Sequence, residues 1–225
     1  MVWFLAVLLF CQIAVAQNNP RPNAVSKYIP GNASDVSFVV SSDSQSKVTL
    51  AAWSQPGRNE PGFDSGAIAV RETGQHTKVV WRLKLPGAYS PKLFDKSEFT
   101  YRGRPIVLLQ MQFGAAAAEM RVMGVNGDRV AELGSIEADD FEFTTLKGAT
   151  YLVAHEDANL LDVPRLYRWT GAGFVDDSAN HPEFYRQLAN HIRSESDVTK
   201  LAKPVQLRFA QIVLLSGEQS GASNR

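Results

Sequence analysis

The sequence predicts a mainly β fold of about three four-stranded antiparallel blade-like repeats, arranged as a partial propeller or a sandwich-like array and followed by one or two C-terminal helices. Three observations carry this. From about residue 36 to 180 the apolar runs are short, rich in β-branched and aromatic residues, and bounded by turn clusters. Two hairpin patterns recur there in matched order, with the turn glycines Gly127 and Gly171 44 positions apart and Gly103 and Gly148 45 apart. Helical spacing emerges only beyond residue 180, where Tyr185, Leu188 and Ile192 follow Pro182.

In chain order, the first segment reads as an address rather than a fold element. Val2 to Ile13 is apolar except for Gln12, and Ala14-Val15-Ala16 is a small-x-small cleavage signature. Residues 1–16 therefore read as a secretory signal peptide, too short to span a bilayer, with an uncleaved anchor as the alternative. Phe10 before Cys11 and the downstream cleavage signature exclude lipidation at Cys11. The expectation is a secreted or periplasmic protein that leaves the membrane after cleavage. Its mature chain would carry no cysteine, so disulfides, thiolate metal sites and thiol catalysis drop out together. Residues 17–35, with Pro20, Pro22 and Pro30, read as an extended Pro-rich lead-in.

The β-repeat domain, 36–180, opens with the runs Val36–Val40, Val48–Trp53 and Lys78–Leu83. Ser41–Ser46 is a polar hairpin connection, and Pro56, Gly57, Pro61 and Gly62 make the stretch from Ser54 to Ser65 a long loop. Ala115–Ala118 favours helix locally, but Gly114 and the flanking strands make it a loop or bulge. The strand-turn-strand pattern of 99–108 is echoed by 143–153, and that of 120–130 by 164–174. A looser first copy begins near Val36 and ends in the hairpin around Gly74. Each copy is two hairpins, at the spacing of propeller blades. Three copies do not make an ordinary closed ring, so the outer ones need a cap or a partner.

Residues 181–217 supply a helical cap. The first helix spans about 182 to 194. Val205–Leu215, between Pro204 and Gly217, reads as a buried helix, with strand as the alternative because its first half alternates. Residues 216–225 read as a frayed tail, disordered over 218–225. The first repeat pairs the 36–40 strand within its own sheet, or the chain dimerises symmetrically through that edge.

Tyr151–Ala154, a polar loop, and Arg165-Leu166-Tyr167-Arg168-Trp169-Thr170-Gly171-Ala172-Gly173-Phe174-Val175 together resemble a blade of secreted bacterial proteins with FG-GAP or VCBS-like propeller repeats. The resemblance covers about residues 95–185 and implies an architecture. Those repeats typically carry an Asp-x-Asp-x-Asp-Gly calcium loop, and Asp157–Asp162 lacks its closing glycine. No calcium site is carried over.

Composition narrows the function. Lys and Arg total 23 and Asp and Glu total 23, which removes a binder held to nucleic acid by phosphate neutralisation. The four histidines, His76, His155, His181 and His191, have no ligand spacing, so neither a metal nor a cofactor is expected. No Gly-x-Ser-x-Gly elbow and no phosphate-binding loop is present. Trp53, Trp81 and Trp169 lie on apolar runs and read as core. The best polar cluster is His155, Glu156, Asp157 and Asn159, just after an apolar strand. The acidic pairs Asp139-Asp140 and Asp176-Asp177 read as charges that protect strand edges. The function expected is a non-catalytic interaction or scaffold module for a protein or glycan ligand, binding through the 54–65 and 154–163 loops. The alternative is a secreted hydrolase or carbohydrate-active enzyme using carboxylates among Asp139, Asp140, Glu156 and Asp157.

Overall fold

In the computed structural model, described over residues 22–42, 47–56, 64–114, 117–127, 129–156 and 161–218, the strands form three four-stranded antiparallel sheets. The first holds β1 (Ser34–Ser42), β2 (Lys47–Ser54), β3 (Asp64–Thr73) and β4 (His76–Pro86). The second holds β5 (Tyr89–Tyr101), β6 (Arg104–Gly114), β7 (Ala117–Asn126) and β8 (Arg129–Ala138). The third holds β9 (Asp140–Leu146), β10 (Ala149–His155), β11 (Arg165–Trp169) and β12 (Phe174–Asp176). Within each sheet, sequence neighbours are spatial neighbours, so every sheet is a simple meander.

The repeat has a backbone cause. Arg102-Gly103 and Lys147-Gly148 are equivalent two-residue turns between the first and second strands of their sheets, and all four residues have positive φ. That is the type I′ geometry, whose twist matches the flanking strands and which glycine accepts without strain. The third and fourth strands are likewise joined at Gly74, Gly127 and Gly171, all at positive φ.

The sheets stack face to face, and alternation along the second strand of each builds the layers. Val48, Leu50 and Ala52 of β2 meet Val107, Leu109 and Met111 of β6 in one core. Ile106 and Leu108 of β6 point the other way, into a second core with Leu152 and Ala154 of β10. Tyr151 and Val153 of β10 enter a third. These strands are buried on both faces, which is why they read as continuous apolar runs although the sheets are antiparallel. Each fully buried leucine contributes about 1.5–3 kcal/mol relative to exposure.

The stack is covered at both ends. Ala24 and Val25, on the one-turn helix α1 (Asn23–Ser26), and Ile29 pack on Ala51, Trp53, Ile68 and Val70 of the first sheet. The lead-in is thus a folded, buried element from Asn23 rather than an extended one, because the outer face of the first sheet is apolar and needs a lid. Trp53 lies against Gly66, where a Cβ would stand 2.7 Å from its ring. On the far side, α2 (Pro182–Glu195) and α3 (Lys203–Leu215) pack on the third sheet through Tyr185, Ala189, Ile192 and Ile212. The 205–215 segment is a helix, but it is not buried all round: Leu207 and Leu214 are 69% and 78% exposed.

Other expectations are corrected. Ala117 and Ala118 begin β7, while the irregularity expected there falls between Gln112 and Gly114. The tail is tied down as far as Glu218, since Ser216 is fully buried and Glu218 pairs with Arg193 at 2.6 Å. One expectation holds: β1 pairs with β2 inside its own sheet, from Ser34 opposite Ser54 to Ser42 opposite Lys47.

Candidate functional site

The hairpin turn at Lys147-Gly148 sets the register that builds the site. Counting outward from it, His155 at the end of β10 lies opposite Asp140 at the start of β9 and diagonal to Glu142. His155, Asp140 and Glu142 therefore share the face of the third sheet that α2 and α3 cover. The chain leaves β10 at Glu156 and re-enters the sheet at Arg165, opposite Ala154.

His155 is the hub. Its Nδ1 lies 2.5 Å from Asp162 Oδ2 and its Nε2 lies 3.4 Å from Glu142 Oε1. The hydrogen bond to Asp162 holds the imidazole pKa above its ordinary value; burial works against this, and the charges of Asp162 and Glu142 add to it. Asp162 is shared, because its Oδ1 accepts the Glu156 backbone N–H at 3.0 Å. The Glu156 carboxylate in turn meets Arg165 Nε at 2.8 Å and Arg208 Nη1 of α3 at 3.8 Å. Arg165 also donates to Asp176 Oδ2 at 3.0 Å. The result is two charge groups, Glu142–His155–Asp162 and Arg208–Glu156–Arg165–Asp176, joined by the hydrogen bond from the Glu156 N–H to Asp162.

The base of this connection is anchored below the charges. Val163 is buried among Tyr151, Val153, Leu166 and Tyr185. Tyr185 donates its hydroxyl to the Pro164 carbonyl at 2.7 Å, and burial pushes the phenol up to about 12. Next to it, Asp177 and His181 are both 8% exposed and 3.2 Å apart. Asn180 donates to Asp177 at 2.7 Å, and this bond, with His181 and Arg168 nearby, holds the Asp177 carboxyl below the usual carboxylate range.

Of the expected binding residues, His155 and Glu156 are brought together, while Asp157 and Asn159 lie outside the described residues, as do 57–63 of the other long loop. Asp177 is not an edge-protecting charge: it is buried because α2 returns over the sheet end. Among the carboxylates expected of a hydrolase, Glu156 faces two arginines and Asp140 accepts its neighbour Phe141's N–H at 2.8 Å. Asp139 donates its backbone N–H to the His155 carbonyl at 2.8 Å. A cleft of about 190 Å³ lies elsewhere, between β1 and the β5–β6 hairpin, lined by Val39–Ser42, Asp95, Arg104, Pro105 and Val107. Trp169 packs against Phe99 and Phe174 and donates Nε1–H to the Thr100 carbonyl at 3.0 Å, so it serves the core between the second and third sheets.

Sequence reasoning missed Glu142, Asp162, Arg165 and Arg208. The register from the turn at 147–148 was a usable signal for Glu142, since hairpin pairing follows from turn length. Asp162 and Arg208 reach His155 and Glu156 through loop closure and helix docking, which leave no local pattern. Among the described residues, no group of three or more His, Cys, Asp or Glu could hold a metal ion, and no helix is long and apolar enough to cross a membrane. No protein-family model matches the chain, and no curated protein is similar to it in sequence.

Proposed function

We propose that this chain is an exported, non-catalytic interaction module that presents one end of its sheet stack to a protein or glycan. One observation carries the reading: the two long connections, 55–63 and 156–164, leave the same end of the stack. In a meander, the end of the second strand and the end of the fourth lie together. Gly87-Ala88 and Asp139 join each fourth strand to the first strand of the next sheet, and these short links keep the ends of β2, β6 and β10 on one side. The turns at Gly74, Gly103, Gly127, Gly148 and Gly171 lie on the other side. Both outer faces of the stack are already covered, by 23–33 and by the two helices. Long connections displayed by a rigid scaffold are where binding residues concentrate.

The charge groups around His155 suit display rather than reaction. Glu156 and Asp162 are held by Arg165, Arg208 and His155, which fixes the stem of the second connection to the scaffold. We read the blade-like repeat, with its likeness to exported propeller repeats, as the origin of this scaffold. The mature chain acts as a monomer, because both outer sheet faces are covered within the chain.

The test is replacement of 57–62 and of 157–160 by short Gly-Ser linkers, followed by chemical cross-linking and capture from the native culture. Loss of the captured species in either loop variant, with unchanged thermal stability, is the expected result. Capture that survives both replacements overturns the reading.

A further inference from the structure

We propose that the partner held at the connection end of the stack is a protein with a basic rim around an apolar socket, and that Phe113 is the anchor that fills the socket. This rests on the reading of that end as the binding surface and names the chemistry the surface selects.

Strand period does not account for the exposure of Phe113. Along β6, Val107, Leu109 and Met111 alternate into the core between the first and second sheets, and Phe113 continues that phase. At the end of the strand the register slips. Gln112 lies opposite Ala118 and Gly114 opposite Ala117, so two steps along β6 meet one along β7 and Phe113 is the extra residue of a bulge. A bulge re-aims the side chain it carries. Phe113 stands 42% exposed, on an inner strand of the middle sheet. It is also held in place. Tyr89, opposite Gln112, donates its hydroxyl to the Gly114 carbonyl at 2.7 Å, which pins the bulge to β5. Ala117 and Pro86 are exposed at the same end. A pinned aromatic near the centre of a surface, with little freedom left to lose, has the character of a binding hot spot.

Charge selects between the ligand classes. Asp64 opens β3 on the first-sheet side of Phe113, while Glu137 and Asp140 flank the β8–β9 junction on its third-sheet side. All three are exposed, and no cation among the described residues pairs with them. Arg165 is engaged by Glu156 and Asp176, and Lys84 and Lys92 are exposed further down β4 and β5. The two long connections add Arg58, Glu60 and Asp157 in sequence, so the balance at this end stays acidic. A neutral sugar offers these carboxylates hydroxyl groups but no charge, and an acidic sugar repels them. Lys and Arg around a protein socket answer them with charge, in the usual arrangement of an apolar interface core inside a polar rim.

The photo-cross-linking amino acid p-benzoylphenylalanine, introduced at Phe113 of the mature chain, keeps an aromatic ring there and reports what it touches. In the native culture the expected adduct contains a partner that trypsin digests, and mass spectrometry of the joined segment shows Lys or Arg. Its yield should fall about tenfold between about 0.05 and about 0.5 M NaCl, and about tenfold at low salt when Asp64→Asn, Glu137→Gln and Asp140→Asn are combined. Phe113→Ala should lower the adducts formed from cross-linkers at Gln55 and Leu161 about tenfold. The rim variant, altered only at exposed positions, keeps the test decisive if Phe113→Ala is less stable. A glycan adduct that resists trypsin, an acidic partner segment, or a yield indifferent to salt and to the rim variant overturns the proposal. Adducts at Gln55 and Leu161 with Phe113 silent overturn it and leave the binding surface in place. Silence at all three, with adducts at His76 or Lys147, overturns the surface itself.

Discussion

Asp177 sits where β12 gives way to the turn Ser178–Asn180, and almost none of it reaches solvent. Its carboxylate takes hydrogen bonds from Asn180 and His181, with Arg168 Nε 3.5 Å away. Removing the carboxylate leaves the Asn180 amide and the His181 ring without their acceptor, so Asp177→Ala should cost about 1–3 kcal/mol in urea unfolding. Because its folded pKa is depressed, its contribution is present above the unfolded value of about 3.9 and is lost as pH falls through the folded one. Acid unfolding of Asp177→Ala should therefore be shallower than that of the wild type, and an identical acid limb would contradict the assignment. Tyr185→Phe, which deletes the hydroxyl bonded to Pro164, should cost about 1 kcal/mol in the same assay. The burial of Asp177 was invisible in the sequence. Two adjacent acids after a strand look like edge protection until a helix starting at Pro182 folds back over them. His155 was legible as a polar residue ending an apolar strand, but its anion Asp162 was not, since a loop closure brings it there.

At the scale of elements, glycines and strand period were the informative signals. The paired turns at Gly103 and Gly148, and those at Gly127 and Gly171, are the repeat that was read from spacing, and they mark the same hairpins in the second and third sheets. Gly148 has φ +80°, so Gly148→Ala should lower stability by about 1–2 kcal/mol through backbone strain alone. Gly66 matters for a different reason. Its missing side chain is filled by the Trp53 ring, itself enclosed by Ile68, Val70 and the α1 segment. Gly66→Ala should cost about 1–3 kcal/mol by overpacking, read as a fall in thermal midpoint, and an unchanged midpoint would show that Trp53 moves freely. The helix at 203–215 was undecided by period because its outward face carries Leu207 and Leu214 where polar residues would have settled the pattern. The α1 turn was hidden for a related reason. Four residues beside prolines carry no periodicity, and only an apolar sheet face gives them a place to dock.

For the molecule as a whole, the layers follow from strands that are apolar on both sides. β2, β6 and β10 each face two cores, so the three sheets and their two coverings depend on one another. Leu108 and Leu152 meet in the central layer, and Leu152→Ala should cost about 2–5 kcal/mol with no change in secondary structure by circular dichroism. With both outer faces covered, light scattering behind size exclusion should return the monomer mass across a wide concentration range. The number of repeats was legible, and so was the need for a cap. Which segment covers the first sheet was not, because burial of Ala24, Val25 and Ile29 depends on a sheet assembled later in the chain. The central claim is that binding belongs to the end of the stack where the long connections leave. Photo-cross-linkers at Gln55 and Leu161, on the stems of those connections, and at His76 and Lys147, beside the tight turns, test it within one scaffold. The account predicts adducts in the native culture from Gln55 and Leu161 and none from His76 or Lys147. Adducts from the turn positions, with the stem positions silent, would contradict it.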